Sequence, residues 1–450
     1  MKQALLDFVL DAEGDLAIAL EAYSAEHLSR FTKSQALGNS QIDLIVDRFL
    51  THGTVGGKTP LTLFLEQSPD LMPQDLHLLG QWVKSFTGLF KVEQVLDAGA
   101  GYLLMNWLTA KQYEVRPNGL QRPDQLARFK EGEIVLTRIA PITEVIWVFS
   151  GPLILLGKLG KPKLAVAIGN FKQHFKEDLY GDAPELLEEA WNSVAQHHHE
   201  WLDFFGQEEV TLPGYQADQR LKQFQEHVTQ RRLAEAGLDS TQSLTDLMRQ
   251  SDPTQQMDEV LQTVASADPA MKAEANPAVA VPDAKPTMVA PDVTMPDRFR
   301  TADLVTLITH PKWGQMVSSF YAQLSDCLGT QPLITDQTQK LVRQALADPE
   351  MNTFLWHRLA ERYPVPLEML LQATLQDPTF SLEHGLDALL QAHDKQLQPD
   401  LPETASVPLH LHNLFQEAFI EVHKTQSKSA PSKSKGKAKS GIGFQKSSGK

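Results

Sequence analysis

Residues 89–108 read LFKVEQVLDAGAGYLLMNWL, and at Leu89 the apolar period changes from helical towards strand. LFKVEQVL is followed by DAGAG, a turn signal, and then by YLLMNWL. Further β-rich runs follow at YEV, EIVLTRI, EVIWVFS and PLILL, separated by Pro, Gly or Asn. Five or six such runs within 89–157 predict a small, strongly bent antiparallel sheet or barrel. Their order alone does not choose between an SH3-like and an OB-like topology.

Working outward, residues 1–88 read as a helical module. In NSQIDLIVDRFL, Asn39 or Ser40 can cap, and Ile42, Ile45, Val46, Phe49 and Leu50 recur at helical spacing. In MPQDLHLLGQWVKSFTG, Pro73 suits a first turn and Gly88 a stop, with Leu76, Leu79, Val83 and Phe86 as the buried face. Helical periodicity returns over 161–264, with the sheet of 89–160 as the surface it is expected to cover. There Leu164, Ile168, Phe171 and Phe175 form one stripe. A second helix is expected from Pro184 to Phe205, stopped by Gly206, and a third from Gln216 to Ala236, stopped by Gly237.

Residues 265–297 hold six prolines and no aromatic residue, too little apolar surface to offset the entropy of ordering them, and read as a Pro/Ala-rich disordered linker. Residues 298–423 are expected to form a C-terminal helical domain, with Pro311, Pro349 and Pro366 placed where helices can begin. The fold class is therefore mainly α with an embedded small antiparallel β-sheet or barrel, multidomain, with a disordered linker and tail.

The tail, residues 424–450, carries eight lysines and no acid, and raises the formal charge from −23 over residues 1–423 to −15 over the whole chain. Its Ser, Gly and Lys content predicts a disordered polybasic arm. Such an arm attaches to polyanions without sequence choice, because each neutralised phosphate releases counterions. An acidic protein or an anionic lipid surface is an alternative target, and a passive, solubilising arm is the next reading. Ile442 and Phe444 in SGIGFQK offer at most a small docking element within it, since two apolar residues carry little weight. Cys327 is the only cysteine, which excludes an intrachain disulfide and a cysteine-cluster zinc site. The longest apolar run, Val145–Gly157, is broken by Gly151 and Pro152 and is too short to span a bilayer. A cytoplasmic protein without a membrane span is the expectation.

Three further signals bear on chemistry. HGTVGGKTP, residues 52–60, has three residues between Gly53 and Gly57, where a P-loop needs four between its first glycine and GK[ST]. The segment before it is also helical by period, so a turn leading into a helix at Thr59-Pro60 is the better reading. HHH at 197–199 lies on an expected helix, where neighbouring side chains diverge by about 100° and cannot share one ion. The nearest same-face pairing is His199 with Asp203, too few ligands for a firm site. Residues 111–163 carry nine basic side chains against five acids, interleaved with Tyr113, Phe129, Trp147 and Phe149. Basic grooves with aromatic stacking faces bind single strands, so Arg116, Arg122, Arg128, Lys130 and Arg138 are candidate polyanion contacts. Lys428, Lys433, Lys435, Lys437, Lys439 and Lys446 are the corresponding candidates in the tail.

No GxSxG, HExxH, strand-borne GxGxxG or activated cysteine is found, and no cofactor or metal is implied. The expected function is a non-catalytic adaptor or regulatory protein, with helical surfaces for protein partners and the tail for electrostatic tethering. The alternative is an RNA- or DNA-associated factor with the barrel as single-strand reader, and after it an enzyme with an unrecognised site.

Overall fold

The computed structural model describes residues 1–29, 39–68, 71–119, 121, 123–235, 288–289, 295–330 and 333–429. It divides into two compact units, one made of residues 1–178 with the segment from His410 onward, the other of residues 179–409. The boundary thus falls within the stretch expected to cover the barrel.

In the first unit, α1 (Lys2–Leu10), α2 (Asp15–Ser29), α3 (Asn39–His52), α4 (Pro60–Gln67) and α5 (Pro73–Gln81) surround one core. Leu5, Val9, Leu16, Phe49, Leu50, Leu61, Phe64, Leu79 and Trp82 fill it. The buried face of α3 is offset from the expected one: Leu44 and Ile45 are buried and Ile42 is exposed. That rotation turns Asp47 and Arg48 inward. Thr59 caps α4, its hydroxyl accepting from the Thr62 amide with Pro60 in the first turn.

The strand region begins three residues earlier than expected, at Phe86. Gly88 stops no helix; it lies in β1 opposite Thr137, where a Cβ would come within 2.5 Å of the Phe90 ring. Leu76 and Val83 are correspondingly exposed. β1 (Phe86–Leu96) is bent by a bulge between Val92 and Gln94, so one half pairs with β4 (Ile134–Pro141) and the other with β2 (Gly101–Asn106). Between β2 and β4 come β3 (Gln112–Arg116) and α6 (Pro123–Leu126); β5 (Ile146–Phe149) and β6 (Ile154–Gly157) follow. The order β1-β2-β3-β5-β4 closes on β1, with β3 and β5 parallel and β6 continuing along β4. This five-stranded closed barrel has the connectivity of the oligonucleotide/oligosaccharide-binding (OB) fold, a fold that hosts many functions. α7 (Lys161–His174) follows, with Leu164, Ile168, Phe171 and Phe175 buried as the stripe predicts.

The second unit opens with α8 (Pro184–Phe205), which ends at Gly206 in the left-handed conformation. β7 (Glu209–Leu212) and α9 (Gly214–Glu235) follow, then β8 (Met288–Val289) and α10 (Asp297–Arg300). The segment expected to be helical from residue 298 instead forms a hairpin, β9 (Val305–His310) and β10 (Gly314–Ser318), with Pro311 in its turn. β9 also pairs with β7, so chain on both sides of 236–294 builds one sheet. α8 and α9 lie against this sheet: Trp201, Leu221 and Phe224 share a core with Val305 and Leu307.

α11 (Ser319–Leu328), α12 (Asp336–Ala347), α13 (Thr353–Arg362), α14 (Pro364–Leu375) and α15 (Leu382–Ala392) pack around Tyr321, Val342, Trp356 and Leu370. Pro349 precedes α13 in a turn, and Pro366 sits inside α14, which starts at Pro364. β11 (Val407–Pro408) pairs with β8, and α16 (Leu409–Ser429) returns to the first unit. Apart from Met288–Val289 and residues 295–297, the expected linker lies outside the described residues, as does the tail from residue 430.

Candidate functional site

Two features of the first unit bring chemistry-bearing residues together. The first is an ionic junction between α3 and the barrel. Arg138 on β4 is fully buried, at 0% exposure. Its Nη1 donates to the Asp47 backbone carbonyl at 3.1 Å and meets Asp47 Oδ2 at 3.4 Å. The two Nη2 hydrogens face three acceptors, Thr51 Oγ1 at 2.7 Å, the Ser85 carbonyl at 3.1 Å and His52 Nδ1 at 2.8 Å. Asp47 also pairs with Lys2 and accepts from Ser150 Oγ at 3.0 Å. Lys2 Nζ in turn donates to Ser150 Oγ at 3.0 Å.

One residue along α3, Arg48 reaches Glu177 at 2.6 Å and Asp178 at 3.3 Å, while Asp178 Oδ1 accepts from the Thr87 amide. Burial opposes the charge on Asp47, but Lys2 and Arg138 outweigh it and hold the carboxyl below its usual range. Desolvation pushes Lys2 down against the pull of Asp47. His52 is driven down to about 4, by desolvation first and then by the Arg138 cation. An accepting Nδ1 facing a guanidinium requires the unprotonated nitrogen.

A cavity of about 510 Å³ opens beside Lys2, Asp47 and Ser150, between Leu6, Val46 and Leu153. Its three central polar groups already satisfy one another. This geometry suits a clamp that joins helices to barrel, since paired and hydrogen-bonded ions are the form in which buried charge persists.

The second feature is a groove of about 580 Å³ framed by α1, α2 and α4. Phe8, Leu16, Val55 and Leu63 give it an apolar floor, and Asp7, Asp11, Glu13 and Asp15 an exposed acidic rim, with no basic residue among the described lining. α1 ends here, and its last turn carries no basic residue, so its carbonyl dipole adds to the negative field. Gly14, at φ +70°, makes the turn that brings α2 back beside α1.

Sequence reasoning had not singled out either feature. Asp47 and Arg48 look like any charged pair on a helix, and only the offset of the α3 face buries them. The acids of the groove lie within DFVLDAEGD, where a run of carboxylates reads as a solvated surface.

The residues that sequence analysis did single out are dispersed. Arg138 lies inside the junction, away from any surface, because β4 runs beneath α3. Arg116 is exposed and pairs with Glu114 at 2.9 Å. Arg128 and Lys130 are exposed in the loop before β4. Arg122, the Lys428 side chain and Lys433, Lys435, Lys437, Lys439 and Lys446 lie outside the described residues. Tyr113, Phe129 and Phe149 are barrel core, with Trp147 packed against them, its ring centroid 5.0 Å from that of Tyr113. On β1, Lys91 lies 3.6 Å from Glu93, a pair of opposite charge.

HGTVGGKTP is a tight turn: Val55 and Lys58 form a bridge, Gly56 and Gly57 both have positive φ, and Lys58 pairs with Glu66 at 2.7 Å. The three histidines diverge, His197 towards Gln315, His198 towards Thr309 and His199 into solvent. Among the described residues no cluster of three or more His, Cys, Asp or Glu could hold a metal ion, and no helix is long and apolar enough to cross a membrane. Compared with known proteins, the chain matches no family model, no curated protein and no solved structure.

Proposed function

We propose that this protein is a non-catalytic interaction scaffold whose first unit receives a basic protein segment carrying an apolar anchor. The observation that carries the reading is the groove of α1, α2 and α4. An apolar floor supplies a place to bury one large side chain, and four carboxylates with a helix C-terminus supply the field for lysine or arginine around it. The junction of Arg138 and Asp47 supports this role by tying α3, against which α1, α2 and α4 pack, to the barrel, and Lys2 of α1 joins it. The pairing of Lys91 with Glu93 and of Arg116 with Glu114, and the inward placement of the barrel aromatics, favour this reading over a single-strand reader. The tail remains the proposed electrostatic arm of the scaffold.

The test is a fluorescence anisotropy titration with a short synthetic Lys/Gly peptide containing one Phe, beside its Glu/Gly counterpart. The lysine peptide should bind saturably and weaken about tenfold between 50 and 300 mM salt. Asp7→Lys with Asp11→Lys should abolish binding, and the glutamate peptide should not bind. Equal affinity of wild type and double variant for the lysine peptide would refute the assignment.

A further inference from the structure

The groove asks for a ligand with several cations spaced around one large apolar side chain. Within this chain, KSKGKAKSGIGFQK, residues 433–446, outside the described residues, has that composition, with Lys433, Lys435, Lys437, Lys439 and Lys446 flanking Ile442 and Phe444. We infer that this segment is the groove's intrachain occupant, with Phe444 over the floor of Phe8, Leu16, Val55 and Leu63 and the lysines against Asp7, Asp11, Glu13 and Asp15.

Three considerations support the assignment. The first is charge: the rim is acidic throughout and the segment is basic throughout, so each neutralises a field the other carries alone. The second is reach. α16 belongs to the same unit as the groove and runs to Ser429. The residues from there to Phe444 span up to roughly 50 Å when extended, while a compact body of this unit's size is only about 45 Å across. The third is tethering. A segment joined to the body by a short linker sees its site at an effective concentration of order millimolar, so even a weak contact of one ring and a few lysines is populated. The segment then acts as an internal competitor: a partner's basic segment must displace it, and a polyanion that captures the lysines uncovers the groove.

This inference rests on the reading of the groove as a docking surface, and one set of measurements separates the two. Zero-length carboxyl–amine coupling of the full chain at high dilution, followed by mass spectrometry of the monomer, reads which acids the tail lysines touch. Lys433 to Lys446 should couple several-fold more to Asp7, Asp11, Glu13 and Asp15 than to other exposed acids. Phe444→Ala and 0.5 M salt should each reduce that preference about tenfold. The full-length Phe444→Ala chain should also bind the free Lys/Phe peptide several-fold more tightly than wild type, because its groove is vacated. Coupling spread evenly over exposed acids, or indifferent to Phe444→Ala, would overturn the inference. So would coupling confined to the dimer fraction, which would assign the groove to the tail of a second copy. If the free peptide binds while the chain's own tail couples elsewhere, the docking surface stands and its intrachain occupant does not. If no peptide binds, both fail.

Discussion

Arg138 and Asp47 hold each other in place from different halves of the first unit, the guanidinium taking both a side-chain oxygen and the backbone carbonyl of the same aspartate. Arg138 comes from β4 of the barrel and Asp47 from α3, so the contact joins two elements 91 residues apart in the chain. Replacing Arg138 by Ala removes a donor from Asp47, Thr51 and the Ser85 carbonyl and one of the two cations that pair with the buried Asp47, and should destabilise the protein by about 3–5 kcal/mol. Arg138→Lys should recover only part of this, since one ammonium cannot reproduce the planar fork. Arg116→Ala, at an exposed pair, should stay within about 1 kcal/mol. Chemical denaturation of the three variants gives the comparison.

The same junction makes stability depend on pH. His52 has a folded pKa of about 4, below the ordinary value of 6.5, so between those values the unfolded chain binds the proton and the folded chain does not. Stability therefore rises with pH across that window and is lost on acidification from 6.5 towards 4. Asp47, also held low, adds a further loss as its carboxylate protonates below its ordinary 3.8. Denaturation midpoints should be level above pH 7 and fall steadily below 6.5. His52→Gln should flatten part of the slope but not all, because His198, His310 and His410 are also held below their ordinary value by burial. An unchanged slope in that variant would remove His52 from the account.

Pairing of β7 with β9 predicts how the second unit responds to cleavage. With a specific protease site inserted at about residue 275, the cut chain should stay in one piece on gel filtration under native conditions. Its two fragments should separate only in denaturant, because strands and core side chains from both sides of the cut share one sheet. Elution of two folded fragments would instead support the two-domain division expected from composition.

ATP or GTP, with or without magnesium, should leave the melting temperature unchanged, and Lys58→Ala should not alter that result. Gly56 and Gly57 serve a reversal between α3 and α4, and Lys58 is turned to Glu66. Gly53 is glycine for packing, since a Cβ there would lie 2.1 Å from the Phe49 ring. A saturable nucleotide-induced rise in melting temperature would contradict this.

Local sequence was sufficient wherever local physics decides. The start of α8 at Pro184 and its stop at Gly206, the stripe of α7 and the small barrel between residues 86 and 157 were legible because proline, glycine and apolar period act within a few residues of themselves. The hairpin of β9 and β10 was misread as helix. Its runs are too short for period alone to separate strand from buried helix, and its partner β7 lies beyond a long intervening segment. The barrel's closure through parallel β3 and β5 likewise depends on which edges meet. So do the burial of Arg138 and the gathering of Asp7, Asp11, Glu13 and Asp15 around an apolar floor. A charged side chain carries no local mark of whether it will face water or another charge; the packing of α3 against β4 and of α1 against α2 decides that.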